Sequence, residues 1–229
     1  MWLSGNSGPF EVIELEVKLG IASPLRILHI SDLHFAPRQN AKRSFLKDLA
    51  SLKPDLVVNT GDNLGHKDAI NPTLDALAPL LDCPGVFVNG SNDYRSPSPR
   101  NPFKYFAGPS EVSSKPNLDT KRFTDELINA GWLDLNNSSG RLSLGNQDLG
   151  FLGLDDPHEN LDSLESLPSQ AAEIAGTDLV IGVAHAPYLR VIEAFGNRGA
   201  DMIFAGHTHG GQVCIPGVGA LVTNCDLDR

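Results

Sequence analysis

Short apolar runs that end in clusters of polar residues recur along the chain. They lie at residues 25–34, 55–63, 86–93, 149–158, 178–187 and 201–209. Runs this short, rich in Val, Ile and Phe and bounded by Gly or Pro, are typical of buried β-strands. The pattern therefore predicts six strands, each followed by polar side chains at its carboxyl end.

Amphipathic segments alternate with several of these runs and predict helices. The predicted helices lie at residues 43–52, 119–130 and 188–195, and a further one follows Asn71. Asn71 is the predicted N-cap of that helix with Pro72 as its first residue, and Gly131 follows the end of the helix at 119–130. Strands that alternate with helices predict an α/β architecture, in which ligands bind beyond the carboxyl ends of the strands. Residues 11–19 alternate less regularly and are predicted to form an edge strand.

Composition narrows the class of protein. The 229 residues, 41% of them hydrophobic, are ample for one buried core, and we expect a single domain over residues 1–229. The formal charge of −10 argues against a nucleic-acid backbone as a partner, because proteins that bind one usually show a basic face. Three cysteines without close pairing imply no disulfide framework and fit a reducing cytosol.

The sequence also bears on membrane association. We see neither a signal peptide nor about 18 consecutive apolar residues, so no membrane span is expected. We expect a cytoplasmic protein, with peripheral attachment to the membrane as the alternative.

The polar residues at the strand ends form a set of candidate metal ligands. The set is Asp32, His34, Asp62, Asn92, His185, His207 and His209. Because residues two apart on a strand point to one face, Asp32 and His34 can hold one ion, and His207 and His209 repeat that spacing. Nitrogen and oxygen ligands without thiolate suit Mn, Fe, Zn, Co or Ni. The set exceeds one coordination sphere, so we expect two ions that share a carboxylate. His29 and His66 are interpreted as ordinary core and surface residues.

These residues occur in motifs that resemble those of the calcineurin-like metallophosphoesterases. The motifs are Asp32-Leu-His34, Gly61-Asp62-Asn63, Gly90-Ser-Asn-Asp93, Ala184-His185 and Gly206-His207-Thr-His209, in the family's order and approximate spacing. The resemblance covers roughly residues 25–216. Residues 205–212 (AGHTHGGQ) and 155–158 (DDPH) look especially like a bacterial subgroup of metallophosphoesterases or phosphohydrolases.

The resemblance implies a four-layer αββα sandwich with two ions at the carboxyl edge of the sheets. Carried over motif by motif, Asp32, His34 and His209 hold the first ion. His185 and His207 hold the second ion with an amide oxygen, and Asp62 bridges both. A hydroxide between the ions is the implied nucleophile, because two divalent ions lower the pKa of bound water and stabilise charge on phosphoryl oxygens.

The third motif departs from the family pattern, which usually reads Gly-Asn-His followed by Asp or Glu. Here the residues are Gly90-Ser91-Asn92-Asp93. Aligned without a gap, Ser91 takes the position of the ligand; shifted by one residue, Asn92 takes it. We favour Asn92, because an amide oxygen is a better neutral donor than a hydroxyl. Either alignment lacks the histidine that acts on the leaving group, and His158 is a candidate for that role, with capping or packing as its alternative.

Residues 95–122 lack periodicity and carry basic residues in an otherwise acidic protein. A long irregular loop near a metal site is often a substrate lid, so Arg95, Arg100 and Lys104 are predicted to meet an anionic substrate. A solvated surface loop is the alternative. The chain stops 20 residues past His209, where family members generally continue, so we expect either a compact variant or a fragment with an incomplete second sheet.

The sequence thus favours a dinuclear metal-dependent phosphoesterase, with Asp62, Asn92 and His158 as candidate catalytic residues. The expected partner is a phosphorylated small molecule or a lipid-linked phosphate. The alternative is a non-catalytic metal-binding scaffold or ligand-binding module on the same fold, which the altered third motif favours. The intact set of aspartates and histidines favours the enzyme.

Overall fold

The structure is a computed structural model that describes residues 10–96, 116–209, 213–215, 219–222 and 225–226. All six apolar runs predicted as strands contain one. Five helices of seven residues or more accompany them within the described ranges.

The first sheet is built by the first half of the chain and is parallel throughout. It comprises β1 (Ile27–Ile30), β2 (Leu56–Asn59), β3 (Gly85–Phe87) and β4 (Leu133–Asp134), in that order across the sheet. Because all four strands run the same way, their carboxyl ends lie along one edge.

The second sheet is built by the second half. It comprises β5 (Ser139–Leu144), β6 (Gln147–Gly153), β7 (Leu179–Val183) and β8 (Met202–Phe204). β5 and β6 form an antiparallel hairpin, and β6, β7 and β8 are parallel. A separate antiparallel pair, β9 (Val213–Ile215) and β10 (Gly219–Val222), follows them.

Helices connect the parallel strands. They are α1 (Asn40–Asp48), α2 (Ile70–Leu77), the short α3 (Ser91–Tyr94), α4 (Thr120–Asn129), α5 (Leu167–Glu173) and α6 (Leu189–Gly196), with 3₁₀ turns at Leu49–Leu52, Ala78–Leu80 and Leu164–Ser166. The Asp119 side chain caps α4 by accepting a hydrogen bond from the Arg122 amide at 3.2 Å, and Gly131 follows the helix with a φ of +94°, as predicted for that helix end.

Three apolar clusters define the layers. In the first, Leu46 of α1, Leu77 of α2 and Phe123 of α4 pack on the outer face of the first sheet. The second lies between the two sheets, and the third packs α5 and α6 on the outer face of the second sheet. The order helix, sheet, sheet, helix confirms the predicted four-layer αββα sandwich.

Three local predictions were wrong. Residues 11–19 are not a strand: Ile13 and Leu15 are 81% and 85% exposed, and no described strand pairs with this segment. The second helix begins at Ile70 rather than after Asn71, with Ala69 at the N-cap, since the Ala69 carbonyl accepts from the Thr73 amide at 2.9 Å. The helix predicted over 43–52 begins at Asn40 and ends as a 3₁₀ turn.

Among the described residues, no helix is both long and apolar enough to cross a membrane.

Candidate metal centre

The candidate ligands come from the carboxyl ends of both sheets. Asp32 and His34 follow β1, Asp62 follows β2, and Asn92 lies on α3 directly after β3. His185 follows β7, while His207 and His209 follow β8. The edges of the two sheets therefore meet at one site.

Five of these seven residues have a left-handed backbone conformation. The φ angles are +52° at Asp32, +40° at His34, +56° at Asp62, +68° at His207 and +50° at His209. Among the described residues, nine that are not glycine have a positive φ, so the candidate ligands account for most of them. Such conformations cost free energy and cluster at functional sites, where they direct side chains that a regular strand would point elsewhere.

Asp32 has one satisfied and one unsatisfied carboxylate oxygen. Its Oδ2 accepts hydrogen bonds from the Ser31 hydroxyl at 2.6 Å and from the His207 amide at 2.8 Å. Its Oδ1 is buried without a hydrogen-bond partner, 3.3 Å from Nε2 of His209 and 3.8 Å from Nε2 of His34. A buried oxygen left bare beside two imidazole nitrogens fits a cation ligand.

Asp62 and Asn92 face each other across the two motifs. The Asn92 amide donates to Oδ1 of Asp62 at 2.8 Å, and its side-chain nitrogen donates to Oδ2 at 2.6 Å. A half-turn of the side-chain amide exchanges nitrogen for oxygen at this position, so Asn92 can offer a cation an oxygen. No hydrogen bond joins the Ser91 hydroxyl to Asp62 in the described part of the chain.

His185 and His207 form the other side of the site. Nδ1 of the fully buried His185 bonds to the carbonyl of Thr60 at 2.7 Å, which leaves Nε2 facing Asp62 Oδ1 at 3.6 Å and His207 Nδ1 at 3.2 Å. Burial, and then His185, lower the pKa of His207 to about 4, so its ring is neutral as a metal ligand must be. Nε2 of His207 is buried without a partner.

The electrostatics of the site favour positive charge. Burial alone would raise the Asp62 pKa, yet His185, His34 and the hydrogen bonds from Asn92 lower it to about 2. Burial would likewise lower the His185 pKa, yet nearby carboxylates, Asp62 foremost, raise it to about 9.

Asp93 and Asp156 were not identified from the sequence as buried aspartates near this site. Burial, with the Asp62 carboxylate nearby, raises the pKa of Asp93 and Asp156 to about 7 each. Asp93 accepts hydrogen bonds from the amides of Asn63 at 2.8 Å and Gly90 at 3.0 Å, and so ties the second motif to the third. Its place beside Asn92 in the third motif was the available signal.

Two glycines permit the close packing of the motifs. A Cβ on Gly90 would lie 2.4 Å from Oδ1 of Asp62, and one on Gly206 would lie 2.5 Å from Oδ2 of Asp32. A side chain at either position would displace a candidate ligand.

His158 lies next to this set. Its ring centroid is 4.5 Å from that of His207, and its Nδ1 is 2.9 Å from the hydroxyl of Tyr188. Tyr188 also lies under the guanidinium of Arg190, 5.8 Å from the ring centroid. The strand end after β6 therefore reaches the same site as the strand ends after β7 and β8.

The predicted substrate-binding residues are less well defined. Arg95 forms an ion pair with Glu159, and both side chains are mostly buried. Arg100 and Lys104 lie outside the described residues.

Known proteins are similar to this chain in sequence. The profile of the family "Calcineurin-like phosphoesterase" matches residues 25–211. Phosphodiesterase YaeI of Escherichia coli (strain K12) is 28% identical over 204 residues, which are 86% of this chain and 65% of YaeI. The chain therefore spans slightly less than two thirds of that relative.

Two solved structures can be compared with this fold. Purple acid phosphatase PPD1 from yellow lupin (Lupinus luteus) seeds is 15% identical with a TM-score of 0.50, over 83% of this chain and 38% of that chain. A dimetal phosphatase from Danio rerio is 15% identical with a TM-score of 0.48, over 86% of this chain and 85% of that chain. Because residues 25–211 make up most of the sequence and contain all seven candidate ligands, the protein belongs to the calcineurin-like phosphoesterase family.

Proposed function

We propose that this protein is a metal-dependent phosphoesterase that hydrolyses a phosphate mono- or diester at a site for two divalent ions. The observation that carries the proposal is the bare, buried Oδ1 of Asp32 beside the Nε2 atoms of His34 and His209. The family match and the name of the relative YaeI, a phosphodiesterase, support the reaction class.

The contacts between the candidate ligands support the ligand assignment. Asp32, His34 and His209 have ligand atoms within 4.8 Å of one another and would hold the first ion. His185, His207 and Asn92 would hold the second, and Asp62 would serve both, since its two oxygens face His185 at 3.6 Å and His34 at 3.6 Å. Asp32 and Asp62 also group with His185 within 4.8 Å, so the two sets are contiguous.

The bound ions would supply two effects: a lower pKa for water and stabilisation of charge on phosphoryl oxygens. The protein's own residues orient the ligands and supply the proton. The bond from His185 to the Thr60 carbonyl fixes the tautomer and orientation of that ring. His158, beside His207, would donate a proton to the leaving oxygen in place of the histidine that the third motif lacks.

A substrate with an anionic group fits this arrangement, either a phosphorylated small molecule or a lipid-linked phosphate. Arg95, Arg100 and Lys104 stay the candidate contacts for that group. To reach a substrate, Arg95 has to exchange its ion pair with Glu159.

The test combines metal analysis with hydrolysis. Protein purified without chelator and supplied with Mn should bind two ions per chain and hydrolyse aryl phosphate mono- or diesters. Asp62→Asn should weaken both sites, because one carboxylate serves each. One ion or none in the wild type would overturn the dinuclear site. Two ions without hydrolysis of any ester would favour the non-catalytic scaffold instead.

A further inference from the structure

The segment from Asp32 to His34 is held by hydrogen bonds on two sides. Both flanking residues have a positive φ. On one side, the amides of Asp32 and His34 donate to the carbonyls of Gly61 and Asp62, each at 2.9 Å. Among the described strands, β1 is the outer strand of its sheet, so none of them supplies a donor on the other side. There the carbonyl of Leu33 accepts a hydrogen bond from the ammonium of Lys42 at 2.7 Å.

Lys42 occupies an unfavourable position for a cation. It lies in the first turn of α1, where the helix dipole disfavours positive charge. It is partly buried, which lowers the pKa of its ammonium, and among the described residues it forms no ion pair with a carboxylate. Arg43 and Lys47 of the same helix instead pair with Asp75 at the surface. A lysine in this unfavourable position, without a carboxylate partner, indicates a role for its hydrogen bond to the Leu33 carbonyl.

We infer that Lys42 is a positioning residue for the first metal site, which it serves by fixing the Leu33 carbonyl and thereby the left-handed turn that directs Asp32 and His34 toward one ion. A charge-assisted hydrogen bond is shorter and stronger than a neutral one. It can therefore stabilise a left-handed backbone conformation that is otherwise unfavourable. Gln39 supports the same loop, since its Oε1 accepts from the Ala36 amide at 3.1 Å. The inference rests on the proposed metal centre but not on hydrolysis.

Lys42→Met tests the inference, because it keeps the apolar stem and removes the ammonium. The apo protein is titrated stepwise with Co²⁺. Calorimetry and the visible absorption of the bound ion monitor each binding step. Loss of an outer hydrogen bond typically weakens metal affinity by about 10–100-fold. We expect a loss of this size in one binding step, with little change in the other.

Two further variants complete the design. Lys47→Met removes a cation from the same helix, where it contacts the exposed Asp75, and should titrate as wild type. Lys42→Arg keeps the charge and should recover most of the affinity. Each variant is first checked for wild-type far-UV circular dichroism and unfolding temperature.

Several results would overturn the inference. Wild-type affinity at both sites in Lys42→Met would do so. So would an equal loss at both sites that Lys42→Arg fails to recover, which would mark a general structural role. A raised KM with both ions bound normally would assign Lys42 to the substrate anion instead.

The wild type separates this inference from the proposed function. If it binds Co²⁺ but hydrolyses no ester, only the proposed enzymatic activity is refuted. If it binds no Co²⁺, both proposals are refuted.

Discussion

At the scale of single residues, the site is specified by backbone conformation as much as by side-chain type. The left-handed conformation costs a residue with a Cβ roughly 1–2 kcal/mol, and His34 and His209 adopt it although it is uncommon for residues other than glycine. Their positive φ therefore indicates that local stability has been given up for the direction in which the imidazoles point.

The grouping of the candidate ligands could be predicted from the sequence. Asp32, His185 and the other candidate ligands lie together at the edge where the strand ends predicted them. Lys42 was not readable, because its acceptor is a backbone carbonyl, a group that every residue has. Its role depends on the conformation of Leu33, which the side-chain pattern does not encode.

His158 gives a prediction at this scale. If it protonates the leaving oxygen, His158→Ala should slow the hydrolysis of alkyl phosphates by about 10²–10⁴-fold, because a poor leaving group needs the proton. Nitrophenyl esters should lose much less, since nitrophenolate leaves unaided. The measurement is kcat/KM for matched alkyl and aryl esters. Equal losses on both esters would remove His158 from the acid role and leave it a packing partner of His207 and Tyr188.

At the scale of elements, the predictable strands were those with continuous apolar runs. The missed β5 alternates instead: Leu142 and Leu144 pack between the sheets, while Arg141 and Ser143 face outward. Gly145 and Asn146 separate β5 from β6, and such a dipeptide between two strands is a hairpin signal that could have been used. Segment 11–19 shows the opposite error, since alternation alone does not supply a partner strand.

The short α3 gives the prediction for the third motif. Asn92 and Ser91 are adjacent on this helix, yet Asn92 is the one whose side chain bonds to Asp62. Asn92→Ala should therefore weaken the binding of one ion by about 10-fold or more, since removing even an outer hydrogen bond near a metal has an effect of that order. It should also slow aryl and alkyl esters alike.

Ser91→Ala is the matched control, at the preceding position of the same helix. It should keep both ions and full activity. The reverse outcome, with loss in Ser91→Ala and none in Asn92→Ala, would move the ligand to Ser91 and support the alignment without a gap.

At the scale of the whole molecule, the proposed ions would join the two sheets. One sheet supplies Asp32, His34, Asp62 and Asn92, and the other supplies His185, His207 and His209. Each ion would thus contact both halves of the sandwich in addition to the apolar layer between them.

Metal removal should therefore lower the unfolding temperature. An ion that binds only the folded state, at a free concentration of about 100 times Kd, stabilises it by about 2.7 kcal/mol. For a chain of this size, that corresponds to roughly 5–10 °C per ion. Differential scanning calorimetry before and after chelation measures the shift, and Mn should reverse it. Asp62→Asn, with both sites weakened, should respond little to the chelator, whereas an unchanged wild type would exclude a stabilising role for the ions.

The division of the ligands between two contiguous halves also sets an order of events on the ribosome. The first sheet is complete once Asp134 has been synthesised, and by then Asp32 and Asp62 are already in place. His185 comes 51 residues later in the chain and His209 comes 75 residues later. Between these points a nascent chain carries the first sheet's candidate ligands with none of the second sheet's histidines. Loading of the two proposed ions would consequently be a late step, which could be completed only after His209 has left the exit tunnel.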